Sequence, residues 1–125
     1  MDNKVANGAV VLVVDDDPHL ARSLKFAMEV EGLAVSTFAD AESLLATHAL
    51  PERGCLVIDV KLPGIDGVEL LKRLRARKVT LPAVLITTSP PPALRARAAA
   101  IGAPIVEKPL LQDELIDAVW AQLDR

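Results

Sequence analysis

Aromatic side chains are nearly absent from this chain: no tyrosine, two phenylalanines (Phe26 and Phe38) and one tryptophan, Trp120, among 125 residues. A flavin or a nucleotide base would have little to stack on. A lone cysteine, Cys55, excludes an internal disulfide and suits a reducing cytoplasm. Basic charge is not in excess. The 14 Lys and Arg stand against 17 Asp and Glu, a net charge of −3, which argues against a direct nucleic-acid face. No apolar run approaches the roughly 20 residues of a membrane helix, and nothing after Val10–Val14 resembles a cleavage site. Nor does a G-x-G-x-x-G phosphate loop follow that run.

What is present is an ordinary globular balance, 51% apolar and 25% charged, at a length that suits one domain. Short apolar runs alternate with helical patterns. Val10 to Val14 is β-branched throughout except for Leu12, as expected of a strand covered on both faces. Asp17 and Pro18 form an N-cap and a first helical residue. Leu20, Leu24, Ala27 and Met28 then repeat at helical spacing until Gly32. Ala34 to Phe38 is a more polar edge strand, and Asp40 caps a short helix expected to reach about His48.

Cys55 to Ile58 is a third, buried strand. Asp66 and Glu69 resemble a capping box ahead of Val68, Leu70, Leu71 and Leu74. Pro82 to Ile86 is a fourth strand, Ala93 to Ile101 a fourth helix closed by Gly102, Ile105 and Val106 a fifth strand, and Leu111 to Leu123 a fifth helix. Leu115, Ile116, Val119 and Trp120 should face inward from that last helix, and Cys55 should be a small core residue. Strand and helix in strict alternation predict an α/β fold: a flavodoxin-like (βα)5 three-layer sandwich with a five-stranded parallel sheet in the order 2-1-3-4-5.

In such sheets ligands bind beyond the carboxyl ends of the strands, where the order reverses. Asp15, Asp16 and Asp17 follow the first strand, Asp59 the third, Thr87 and Thr88 the fourth, and Lys108 the fifth. The first and third strands would lie about 4.8 Å apart, which crowds their terminal carboxylates. Crowded carboxylates repel unless a proton or cation separates them, and a few carboxylates with open positions suit Mg²⁺. A carboxylate can attack phosphorus to give an aspartyl phosphate, and the charge that develops needs a fixed cation and a hydroxyl donor nearby. Lys108 and Thr87 are expected to face that cavity. Asp17, with Pro18 after it, is read first as a helix cap. His19 and His48 have no second ligand at useful spacing, and Gly64 and Gly67 are read as turn residues.

Four stretches carry a resemblance: VVDDDP (Val13 to Pro18), IDVKLPGIDGVELL (Ile58 to Leu71), LITT (Leu85 to Thr88) and EKP (Glu107 to Pro109). Over essentially its whole length the chain resembles the receiver domain of bacterial two-component response regulators, and the middle stretch is closest in wording to the nitrogen-fixation regulator type. The resemblance implies a phosphoprotein of phosphorelay signal transduction, with Asp59 as phosphoacceptor. Mg²⁺ would be held by Asp15, Asp16, Asp59 and the backbone carbonyl of Lys61. Thr87 and Lys108 would contact the phosphoryl group, and the Lys108–Pro109 bond would be cis. It implies no multiple-turnover enzyme, only self-catalysed phosphotransfer and autodephosphorylation. A sensor histidine kinase or phosphotransfer protein would donate the group. The fourth helix, fifth strand and fifth helix would switch toward a downstream protein partner or a homodimer. One receiver domain over residues 1–125, with its core at about 9–124, no output domain and a cytoplasmic location are expected.

Three positions depart from that family. Ile105 stands where an aromatic switch residue is usual, Thr88 where a small residue is preferred, and Pro90 to Pro92 stiffen a loop that normally moves. The signal is therefore expected to pass through the fourth helix and fifth strand without an aromatic rotamer change. Two rivals stay open: a degenerate receiver working as a phosphorylation-independent interaction module, and an Asp-nucleophile phosphohydrolase using Asp15 and Asp17.

Overall fold

The structure, a computed structural model, describes residues 8–110 and 112–124. Five strands alternate with five helices: β1 (Val10–Val14), α1 (Pro18–Val30), β2 (Ala34–Phe38), α2 (Ala41–Leu45), β3 (Gly54–Asp59), α3 (Gly67–Ala76), β4 (Ala83–Thr88), α4 (Pro92–Ala100), β5 (Ile105–Lys108) and α5 (Gln112–Leu123). All strands pair in parallel in the order β2-β1-β3-β4-β5, the order expected from the sequence.

Alternation along the strands divides the core in two. Val11 and Val13, Cys55 and Val57, and Val84 and Ile86 pack against Leu24, Ala27 and Met28 of α1 and Leu115, Ile116, Val119 and Trp120 of α5. Leu12 and Val14, Leu56 and Ile58, and Ala83 and Leu85 pack against Ala41 and Leu44 of α2, Val68 to Leu74 of α3, and Leu94 and Ala98 of α4. The period of two on a doubly covered sheet explains why the central strands read as unbroken apolar runs. Burial pushes the Cys55 thiol up to about 12, so it stays a protonated core residue.

Several boundaries differ from the expected ones. The second helix stops at Leu45 and not near His48. Thr47 turns its N–H to the Leu44 carbonyl and its hydroxyl to the Ser43 carbonyl, closing the turn locally. Thr87, Thr88 and Lys108 lie within strands and not after them, because β4 and β5 pair as far as Thr88 with Lys108. β3 likewise extends through Asp59, which pairs with Ile86, and β4 begins one residue after Pro82. On α1 it is Ala21 that is fully buried, with Leu20 at the rim. The fifth helix begins at Gln112, and the expected start at Leu111 lies outside the described residues.

Candidate functional site

Each acidic side chain of the site is delivered by a strand end. Asp15 follows β1, and its backbone N–H bonds the Phe38 carbonyl of β2 at 3.0 Å. Its side chain is buried; Oδ1 accepts the Asp17 N–H at 2.8 Å, while Oδ2 is buried with no hydrogen-bond partner. Asp16 is exposed beside it. Asp59 ends β3 and is 4% exposed. Oxygen atoms of Asp15, Asp16 and Asp59 lie within 4.8 Å of one another. Burial is the main cause that raises the Asp15 carboxyl above the usual carboxylate range. The Asp17 N–H and Lys108 oppose it, and the charges of Asp59 and Asp16 add to it.

Lys108 closes the group. Its Nζ donates to Asp59 Oδ2 at 3.1 Å, with the lysine side chain 26% exposed and the aspartate 6%. The Lys108–Pro109 peptide is cis. The other Asp59 oxygen, Oδ1, accepts the Lys61 N–H at 3.0 Å. Both oxygens of the central carboxylate are therefore held, one by a backbone N–H and one by an ammonium. Three hard oxygen donors and an orphaned buried carboxylate oxygen fit a small divalent cation that keeps several waters.

Thr87 is buried in β4, in register with Glu107. By strand alternation it continues the row of Ala83 and Leu85, toward α3 and α4. Among the described residues no hydrogen bond joins it to Asp59 or Lys108. Asp17 is committed elsewhere: its Oδ1 accepts the His19 and Leu20 N–H groups at 3.0 and 3.3 Å, capping α1. That removes the second carboxylate a phosphohydrolase built on Asp15 and Asp17 would need. His19 meets Arg22 at 3.0 Å on the exposed face of α1.

Two neighbours of the site escaped sequence reasoning. Gly67 has no unusual backbone angle. It is a close-approach glycine: a Cβ there would stand 2.5 Å from the Asp59 carbonyl oxygen and 2.9 Å from Val60 Cα. Gly64, by contrast, does serve a turn, with φ +80. Asp66 caps α3 by accepting the Glu69 N–H at 2.8 Å, but Glu69 does not reciprocate; it pairs with Arg73 at 3.2 Å. The second partner of Asp66 is Arg97 of α4, whose Nη2 lies 3.2 and 3.1 Å from its two oxygens. Burial would raise the Asp66 carboxyl, yet the Glu69 N–H and Arg97 together hold it below the usual range. The mixed spacing, one residue apart for Gly67 and 31 for Arg97, leaves no pattern by which sequence could pair them.

Two hollows lie at the other, amino end of the sheet. One of about 510 Å³ opens around Arg53, Gly54 and Leu81, and another of about 570 Å³ around His48 and Arg77. The hollow that touches Asp15 and Asp16 is about 270 Å³, between Arg22 and Phe38. The buried charges, and not the size of a hollow, mark the site.

A parallel sheet of this order with clustered aspartates and a lysine at the β1–β3 switch point is the arrangement of a receiver. The chain belongs to the response regulator receiver domain family, whose model matches residues 11–120. It is similar to the C4-dicarboxylate transport transcriptional regulatory protein DctD of Pseudomonas aeruginosa, 39% identical over 115 residues, 91% of this chain and 25% of that protein. It is similar also to the transcriptional regulatory protein FixJ of Azorhizobium caulinodans, 40% identical over 116 residues, 92% of this chain and 55% of FixJ. The chain spans about a quarter and about half the length of these two relatives. The crystal structure of FixJ-N superposes with a TM-score of 0.82 at 30% identity, covering 95% of this chain and 96% of that one. Among the described residues no helix is long and apolar enough to cross a membrane.

Proposed function

We propose that the chain is a phosphorylation-controlled receiver and that Asp59 takes the phosphoryl group. The observation that carries this reading is the carboxylate of Asp59, 4% exposed, held by Lys108 at 3.1 Å and grouped with Asp15 and Asp16. One Asp59 oxygen attacks phosphorus as the bond from phosphorus to the donor nitrogen, the imidazole of a phosphohistidine, breaks. The imidazole departs with the bonding pair, and an acyl phosphate remains. Lys108 loses its carboxylate partner as Asp59 is phosphorylated, and its ammonium is free to pair with a phosphoryl oxygen. The Thr87 hydroxyl rotates to donate to another.

Asp15, Asp16, Asp59 and the Lys61 carbonyl would hold Mg²⁺. Bound there, the ion would offset the mutual repulsion of the carboxylates and the charge of the incoming phosphoryl group. The donor is a sensor histidine kinase or a phosphotransfer protein, and water hydrolyses the product slowly, so the domain is no multiple-turnover enzyme. Output goes to a protein partner, or to a second copy, through α4, β5 and α5. The chain works as one receiver domain, in the cytoplasm. Ile105, half-buried at the start of β5 in register with Leu85, does not supply an aromatic switch. The change passes through α4 and the β5 backbone.

The test is the intact mass of the protein after incubation with Mg²⁺ and phosphoramidate, beside Asp59→Asn. One added phosphoryl group in the wild type, absent without Mg²⁺ and absent from the variant, is the expected result. An unmodified wild type, even with a phosphohistidine donor, would make the chain a phosphorylation-independent interaction module.

A further inference from the structure

α4 is held to the rest of the molecule with little apolar surface. Only Leu94 and Ala98 are buried, its N-cap Pro91 makes no side-chain cap, and Ser89 ahead of it has a left-handed φ of 44. Two ion pairs compensate. Arg95 reaches Glu107 of β5 at 2.9 Å, with both side chains about half exposed, and Arg97 reaches Asp66. The second pair differs from the first in where it leads. Asp66 caps the first turn of α3, and Gly67, the next residue, donates its N–H to the Val60 carbonyl at 2.8 Å. No side chain separates Gly67 from the Asp59 carbonyl. The Lys61 N–H that holds Asp59 belongs to the same loop.

We propose that Arg97 is a positioning residue for Asp59: by gripping the Asp66 cap it presses the first turn of α3 onto the backbone that carries the phosphoacceptor, so that one latch joins the acidic pocket to α4. The proposal rests on the phosphoacceptor reading for its chemistry but not for its mechanics. A shift of the loop 59–67 when the pocket fills changes the Arg97–Asp66 geometry and with it the seat of α4. A partner that moves α4 acts back on Asp59 by the same contact, since coupling between sites is reciprocal. Arg95 is the internal control, because it anchors α4 to β5 without touching α3.

Amide hydrogen exchange on the full chain, metal-free and without phosphodonor, reads the mechanics in wild type, Arg97→Ala, Arg97→Lys and Arg95→Ala. Arg97→Ala should speed exchange about two- to fivefold both in residues 59–67 and in α4, the range set by a half-exposed ion pair. Arg97→Lys should restore part of it, and Arg95→Ala should loosen α4 alone. Unchanged exchange over 59–67 in Arg97→Ala overturns the latch. Phosphorylation with phosphoramidate and Mg²⁺ then reads the chemistry. Where the wild type is phosphorylated, Arg97→Ala should alter uptake rate or phosphoryl lifetime by a similar factor and Arg95→Ala should not; equal rates in all three overturn the positioning role. A wild type that takes no group refutes the phosphoacceptor reading, while the exchange result still decides the latch.

Discussion

α3 and α4 lie on the same side of the sheet and follow β3 and β4, the strands that carry Asp59 and Thr87, yet they are built on opposite plans. α3 buries Gly67, Val68, Leu70, Leu71 and Leu74 and is capped by the Asp66 carboxylate. α4 is mostly alanine and arginine, buries Leu94 and Ala98, and begins from a run of prolines without a side-chain cap. Pro90 is buried, while Pro91 and Pro92 are exposed. α3 packs closely on the Asp59 backbone through Gly67, whereas the seat of α4 rests more on polar contacts. If the proposed switching holds, α3 is the part expected to stay put while α4 moves.

The comparison is sharpest in the core. Leu71→Ala should cost about 3–5 kcal/mol, and Leu94→Ala about 2 kcal/mol or less, because the rim of α4 can settle into the space left behind. Urea denaturation of the two variants checks this, and equal losses would break the distinction. Gly67→Ala should cost about 1–3 kcal/mol, since the new methyl meets the Asp59 carbonyl oxygen, Val60 Cα and the stiff β-branched Ile58 side chain, none of which yields easily. Its phosphoryl uptake, read by intact mass, should slow even where the fold survives.

Asp66→Ala should cost about 1 kcal/mol at neutral pH through the lost cap. The carboxyl of Asp66 is held below its ordinary range, so the folded state binds that proton less readily than the unfolded chain. Its contribution is present above the ordinary carboxylate pKa and lost as pH falls through the lowered value. The melting-temperature gap between wild type and Asp66→Ala should therefore narrow on acidification through that window. Solvent screening of this partly exposed group keeps the electrostatic share small. The smallest effect is expected from Pro91→Ser. The serine supplies the missing cap of α4 while the chain loses the proline's restriction of the unfolded state, and the two nearly cancel, within about 1 kcal/mol. Slower amide exchange in the first turn of α4 at unchanged global stability would show that the absent cap is part of what leaves α4 light.

The sequence by itself determined the five βα units, the parallel sheet, its order, and the group Asp15, Asp16, Asp59 and Lys108 at one end. Those follow from signals that are local: β-branched runs such as VVLVV, caps such as Asp17–Pro18, and the rule that strand ends converge in a parallel sheet. The end of α2 at Leu45 was less legible, because Thr47 and Ser43 compete for backbone groups that a helix would also use. Tertiary structure alone decided the rest. It buried Asp15 Oδ2 without a partner, stood Gly67 against the Asp59 carbonyl, and brought Arg97 to Asp66 across 31 residues. None of these has a sequence period, since each depends on how far one packed element slides along another, a quantity set by the whole core and not by any neighbouring residue.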